Sequence, residues 1–248
     1  MECYKEFAHI YDELINSDID YNKWGKVVLD ICNEFNVNQV DYLDLCCGTG
    51  NITTEIAPSF TNSWAVDLSY EMLTKAEQKL RSKGLKVKFV CQNMCELNLN
   101  KKFDLITCCL DSTNYIIETS DIKKYFLAIN NHLKDNGIFI FDINSYHKLA
   151  NILGNNVYNY DDENVTYIWE NTFENRIVDM YLTFFVKQGE LYRRFDEEHR
   201  ERAYEHKEIE VLLKESSLQI VKVMDNYETN IISNDTERIV YVVKKKDI

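Results

Sequence analysis

Five short apolar runs recur between residues 40 and 144, each separated from the next by a stretch long enough for a helix. They are VDYLDLCC, SWAVDLS, VKFVCQN, FDLITCCLD and GIFIFDIN. Strands that alternate with helices at this spacing specify a parallel sheet with helices on both faces. The runs are continuously apolar, as strands buried on both sides must be. Between them, helices are expected from Asn51 to near Pro58, over 69–83 with Gly84 at its end, and over 119–133. Two more helices are expected upstream, over 2–16 and 22–37, the second with Val27, Val28, Ile31 and Phe35 at helical spacing.

The periodicity changes after residue 154. Val165, Tyr167, Trp169 and Phe173 share one face of a strand, and Val178, Met180, Leu182, Phe184 and Val186 share another. Period two marks antiparallel strands with one solvated side. Asn175-Arg176 and Gln188-Gly189 supply the turns. Residues 155–203 are therefore expected to form an antiparallel insertion of three or four strands. A helix at 206–216 follows, and LQIVKVMD and ERIVYVVKK complete a seven-stranded sheet. The expected fold is α/β: a doubly wound, mostly parallel seven-stranded Rossmann-like sheet with a small antiparallel β insertion. Its parts are an N-terminal helical cap (1–39), an α/β domain (40–154 and 204–248) and the insertion (155–203) acting as a substrate lid.

The chemistry is concentrated in Asp44-Leu45-Cys46-Cys47-Gly48-Thr49-Gly50-Asn51, which follows the first strand and opens a helix. Glycine serves where main chain turns sharply and approaches a ligand. Ligands of doubly wound sheets bind at the carboxyl ends of the strands. Asp67 ends the second strand, 17 residues past Gly50, where a carboxylate accepts the hydroxyls of a ribose. A dinucleotide site wants a third glycine, where this chain has Thr53. Asp44, four residues before Gly48, offers a carboxylate to an ammonium, directly or through water. These two departures favour S-adenosylmethionine (SAM) over NAD.

On these residues the chain resembles the class I SAM-dependent methyltransferases, over most of 4–150 and 205–245. Asp44, Gly48 and Gly50 match the first motif of that family and Asp67 its ribose-binding acid. The resemblance implies further cofactor contacts. Met72 and the pair Asn93-Met94 would border the adenine, Asn93 standing where the family usually has Asp. Leu110 would lie near the sulfonium. The insertion is similar to those of glycine N-methyltransferase and aminosugar N,N-dimethyltransferases, and FAHIYDEL…DYNKW to a segment that caps the cofactor there. That places Tyr11, Tyr21 and Trp24 near the pocket. The implied activity is transfer of the sulfonium methyl to N, O or C of a small-molecule acceptor. The rivals are a SAM-binding protein without catalysis and an NAD-dependent oxidoreductase.

Other polar residues are placed by the strand ends. Asp111-Ser112-Thr113-Asn114-Tyr115 follows the fourth strand, as an acceptor-side cluster or as a helix cap. Asp111, Tyr115 and His147 are the candidates for acid–base work. His9, His132, His199 and His206 read as surface or structural, and Arg193, Arg194, Arg200 and Arg202 as solvated partners of neighbouring acids.

Composition narrows the setting. A formal net charge of −13 weighs against a nucleic-acid partner. No apolar run approaches the roughly 20 residues that span a bilayer, and the N-terminus lacks a signal-peptide pattern. Cys46–Cys47 and Cys108–Cys109 are adjacent in strands and point to opposite faces, which makes them poor disulfide or chelating pairs. No metal site is expected. Reduced thiols fit a cytoplasmic location. The oligomeric state is left open, a homodimer included.

Overall fold

The computed structural model of the chain describes Asp12 and residues 19–246. The helix expected over 2–16, with His9 and Tyr11, lies outside the described residues apart from Asp12. The first described helix, α1, runs Tyr21–Glu34. Asp20 caps it by accepting from Lys23 N at 2.9 Å, and Tyr21, Trp24, Val28 and Ile31 form its buried face at spacings of three and four.

The seven-stranded sheet comprises β1 (Asp41–Leu45), β2 (Asn62–Asp67), β3 (Val87–Cys91), β4 (Phe103–Cys108), β5 (Leu133–Asn144), β10 (Leu218–Asp225) and β11 (Arg238–Lys245). Their spatial order is β10-β11-β5-β4-β1-β2-β3. The five strands β1–β5 are parallel, and β11 runs antiparallel to both β5 and β10. Strand alternation divides the core in two. Leu43, Phe139, Phe141 and Tyr241 face α4 (Thr119–His132) and α5 (His206–Glu215). Tyr42, Ile138, Ile140 and Val240 face α1 and α2 (Asn51–Ile56). Every residue of β4 is buried, as a central strand between two helical layers requires.

The remaining helix, α3 (Tyr70–Ser82), is capped by Ser69, which accepts from Met72 N at 3.2 Å. Glu71 stands in its first turn and Lys79 and Arg81 in its last, complementing the helix dipole.

The insertion is a separate four-stranded antiparallel sheet of β6 (Val157–Asp161), β7 (Val165–Glu174), β8 (Ile177–Gln188) and β9 (Leu191–Arg202). Asn175 and Arg176 both have positive φ, 52° and 66°, the backbone of a type I′ hairpin turn. The second turn sits one residue later than expected, at Gly189-Glu190, because Gln188 still pairs with Leu191 in the ladder. A π-helical turn, Lys148–Leu153, joins β5 to the insertion. Asn114, fully buried after β4, donates to the carbonyls of Asn144 (3.0 Å) and Arg202 (2.9 Å) and accepts from Asn144 N (2.9 Å). No described helix is long and apolar enough to cross a membrane. The seven described cysteines are free thiols.

Candidate active site

A cavity of about 540 Å³ opens at the carboxyl ends of β1, β2 and β4, within the usual range of small-ligand sites, roughly 300–1,000 Å³. The turn after β1 winds through left-handed backbone at Cys46 (φ 59°), Gly48 (53°) and Gly50 (79°). The two glycines serve different needs. Gly48 lines the cavity, and a Cβ there would meet nothing within 4 Å, so main chain faces open space. Gly50 lies off the lining. A Cβ there would stand 2.7 Å from Leu80 Cδ1 and 3.2 Å from Ala76 Cβ, so this glycine lets α2 pack on α3.

Asp67 braces the turn from the neighbouring strand. Its carboxylate accepts the N–H of Gly48 and of Ser69, each at 2.8 Å. Burial raises its pKa, against the pull of those two amides. Asp44 is 2% exposed and accepts the hydroxyls of Thr53 (2.5 Å) and Thr107 (2.9 Å). Burial lifts its pKa to about 6. Thr53 thus replaces the third glycine of a dinucleotide motif with a hydroxyl that ties α2 to β1.

Met72, Asn93, Met94 and Leu110 all line the cavity, as does Tyr21. Asn93 accepts from Cys95 N at 2.9 Å, the capping duty an aspartate would perform there. The Tyr21 hydroxyl is buried without a hydrogen-bond partner among the described residues, and burial raises its pKa to about 12. Trp24 lies off the lining, stacked on Tyr227 at 4.2 Å.

Beside β4 the site is built on buried charge. Leu110 and Asp111 both have positive φ, 60° and 51°. Their N–H groups donate to the two oxygens of Asp142, at 2.9 and 2.8 Å. Tyr227 Oη donates to the same carboxylate at 2.7 Å. Arg238 joins Asp142 to Asp111, the latter at 2.7 Å, and lies over the Trp24 ring at 5.4 Å. Asp111 is therefore an ion-pair partner beneath the site and not part of its lining.

One residue of the insertion, Arg200, reaches the cavity, beside Tyr115 from the turn after β4. Arg200 pairs with Asp179 at 2.5 Å, as a solvated charge pair. Tyr115 Oη lies 3.3 Å from His199 Nδ1. Burial lowers the His199 pKa to about 4, against the opposing field of Asp111. Glu201, also on β9, accepts from Asn144 Nδ2 at 3.0 Å, and burial, then Asp111, raises its pKa to about 8. His147 stands elsewhere. It caps the π-helical turn, pairs with Asn151 at 3.1 Å and does not reach the cavity.

Sequence reasoning missed Asp142, Glu201, Tyr227 and Arg238. The alternation of β5, β9 and β11 marks which side chains point inward, but not that charged ones meet there. Among the described residues, no three His, Cys, Asp or Glu side chains are arranged to hold a metal ion.

Residues 43–137 match the Methyltransferase domain family. YqeM of Bacillus subtilis, which carries a methyltransferase name, is 33% identical over 98% of this chain and 97% of its own length. A S-adenosylmethionine-dependent methyltransferase from Clostridium acetobutylicum is 57% identical, covers 98% of this chain and 99% of its own, and superposes with a TM-score of 0.94. The SAM-bound amino pentose methyltransferase of Micromonospora echinaspora shares the fold at 17% identity, with a TM-score of 0.78 over 96% of this chain and 97% of its own. Kinship along nearly the whole chain, on a sheet that carries its cavity at the glycine turn, places this protein in the class I SAM-dependent methyltransferases.

Proposed function

We propose that the cavity binds SAM against the Gly48 turn and that the protein methylates a small molecule entering from the side of the insertion. The observation that carries this reading is the pairing of Gly48 with Asp67 across one cavity. Open main chain faces the ligand on one strand, and a carboxylate stands at the end of the next. The residues present fit the cofactor. Asp67 has lone pairs beyond those given to Gly48 and Ser69 for sugar hydroxyls. Met72, Asn93 and Met94 form an apolar wall with one amide for a purine. The Tyr21 hydroxyl, buried on the lining with no partner among the described residues, offers a hydrogen bond to the amino-acid end.

Bound SAM supplies a methyl group already activated on a sulfonium. The chain's task is alignment and exclusion of water, and orientation alone lowers such barriers by roughly 7–11 kcal/mol. A base is required only when the acceptor arrives protonated. Tyr115 lines the cavity with its hydroxyl 3.3 Å from Nδ1 of His199, a ring that burial keeps neutral at pH 7, so the pair stands within hydrogen-bond reach of an acceptor that must lose a proton. We assign proton transfer to this pair in preference to Asp111 or His147. The acceptor is N, O or C of a small molecule, and the free thiols suit a reducing compartment.

The test has two arms. S-adenosylhomocysteine should raise the thermal midpoint, and Asp67→Ala should weaken its binding by roughly 100-fold, the worth of about two hydrogen bonds to a charged group. Labelled SAM incubated with a metabolite extract should yield a labelled small product. Unchanged affinity in Asp67→Ala overturns the cofactor site. Binding without any labelled product favours a SAM-binding protein over an enzyme.

A further inference from the structure

A second cavity of about 620 Å³ lies at the amino end of β2 and the edge strand β3. Ser63 lines it, four residues and about 13 Å of strand before Asp67. It is therefore separate from the cofactor cavity and independent of how that cavity is read.

Its charge runs against the rest of the molecule. The chain carries a formal −13, yet residues 81–89 hold Arg81, Lys83, Lys86 and Lys88 and no acid. Arg81, Lys86 and Lys88 line this groove, and Glu77 is the one carboxylate among its described lining residues. None of the three cations is paired with a described carboxylate. Like charges gathered without counterions repel, so the arrangement favours an anion.

A second feature points to a ligand. Ser63 is 6% exposed, and its Oγ is buried without a hydrogen-bond partner among the described residues. A buried hydroxyl with no partner is destabilising and rare, which marks it as a waiting donor. Of the two aromatic rings that line the groove, Trp64 is covered by Lys88 Nζ, 3.8 Å from its centre, and meets Phe103 edge-on at 5.9 Å, while Phe89 packs against the cluster of Cys47, Ala65 and Leu73.

We propose that this groove binds a phosphate group, either inorganic phosphate or the phosphoryl end of a small metabolite. Arg81 and Lys86 supply the charge and Ser63 Oγ a hydrogen bond, while Lys88, held over Trp64 on the opposite face of the sheet, adds only to the surrounding field. Two cations beside one hydroxyl suit a doubly charged oxyanion, and a guanidinium fork matches phosphate oxygens in particular.

The test is calorimetric titration of the full chain with inorganic phosphate, with ionic strength held constant by chloride. Saturable binding is expected. Arg81→Gln and Lys86→Gln should each weaken it by roughly tenfold, the worth of one charge-assisted contact. Both variants should keep the wild-type response to S-adenosylhomocysteine, which establishes that they fold. Ser63→Ala should weaken phosphate binding severalfold while raising the thermal midpoint of the phosphate-free protein, because it removes a partnerless hydroxyl. A purely structural serine would not move the two readouts in opposite directions. Glycerol phosphate binding as well as inorganic phosphate would identify the phosphoryl end of a metabolite as a ligand source, and glycerol phosphate failing to bind would leave inorganic phosphate as that source. A non-saturating response that survives Arg81→Gln reflects screening by an adventitious ion only, and overturns the proposal. So does adenosine monophosphate binding more than about tenfold tighter than inorganic phosphate, since that requires a base-stacking surface.

Discussion

The two walls of the main cavity are built on different principles. The wall beside β1 and β2 is mostly main chain, with glycine and left-handed backbone braced by one carboxylate. The wall beside β4 is mostly side chain, backed beneath the lining by a network in which Asp111, Asp142, Glu201 and Arg238 come from four separate strands or turns. A wall of the first kind depends on a few backbone conformations. A wall of the second depends on buried charges that balance only as a set.

The largest effect should come from breaking that balance. Arg238→Met leaves two carboxylates facing each other without their cation. Loss of one partner of a buried pair costs about 3–5 kcal/mol, so thermal unfolding should shift down by roughly 6–20 °C at about 2–4 °C per kcal/mol. A drop below 2 °C would mean that the network contributes little. On the other wall, Gly50→Ala forces a Cβ into left-handed backbone and against Leu80. About 2–4 kcal/mol is expected from strain plus overpacking, read by denaturant unfolding.

Glu201 sharpens the contrast through pH. Its folded pKa of about 8 lies above its ordinary value of 4.5. Below pH 4.5 both folded and unfolded forms hold the proton, and its contribution is constant. Between 4.5 and 8 only the folded form holds it, so stability falls as pH rises, by about 1 kcal/mol per unit. Glu201→Gln should flatten that slope in unfolding curves taken from pH 5 to 8. An unchanged slope would show that Glu201 is not the group responsible. The smallest effect is expected at Lys79, which bridges Asp12 at 2.7 Å and Thr49 at 3.1 Å while partly exposed. Lys79→Met should cost less than about 1 kcal/mol by the same unfolding measurement.

The same division explains what could be read in advance. The glycine turn and Asp67 follow from local pattern, each at a fixed offset from a strand end, while Met72, Asn93 and Leu110 were expected from the family resemblance and line the cavity. The alternation in 165–186 likewise announced a second sheet. Arg238 and Asp142 gave no such signal, since each looks like an ordinary strand residue until β5 and β11 are paired with Asn144 opposite Arg238. Asp111 was a candidate for acid–base work and Gly50, from the glycine motif, for a cofactor contact. Packing put the first under Arg238 and the second against α3. His147 follows β5 closely in sequence, yet the π-helical turn carries it away from the strand end.

Asn114 touches both ends of the excursion that leaves the parallel sheet at Asn144 and returns at Arg202. One carboxamide clasps the departing and the returning chain, much as a clip closes a loop of cord. The four strands β6–β9 are thereby rooted at one buried point, directly before the turn that carries Tyr115 into the cavity.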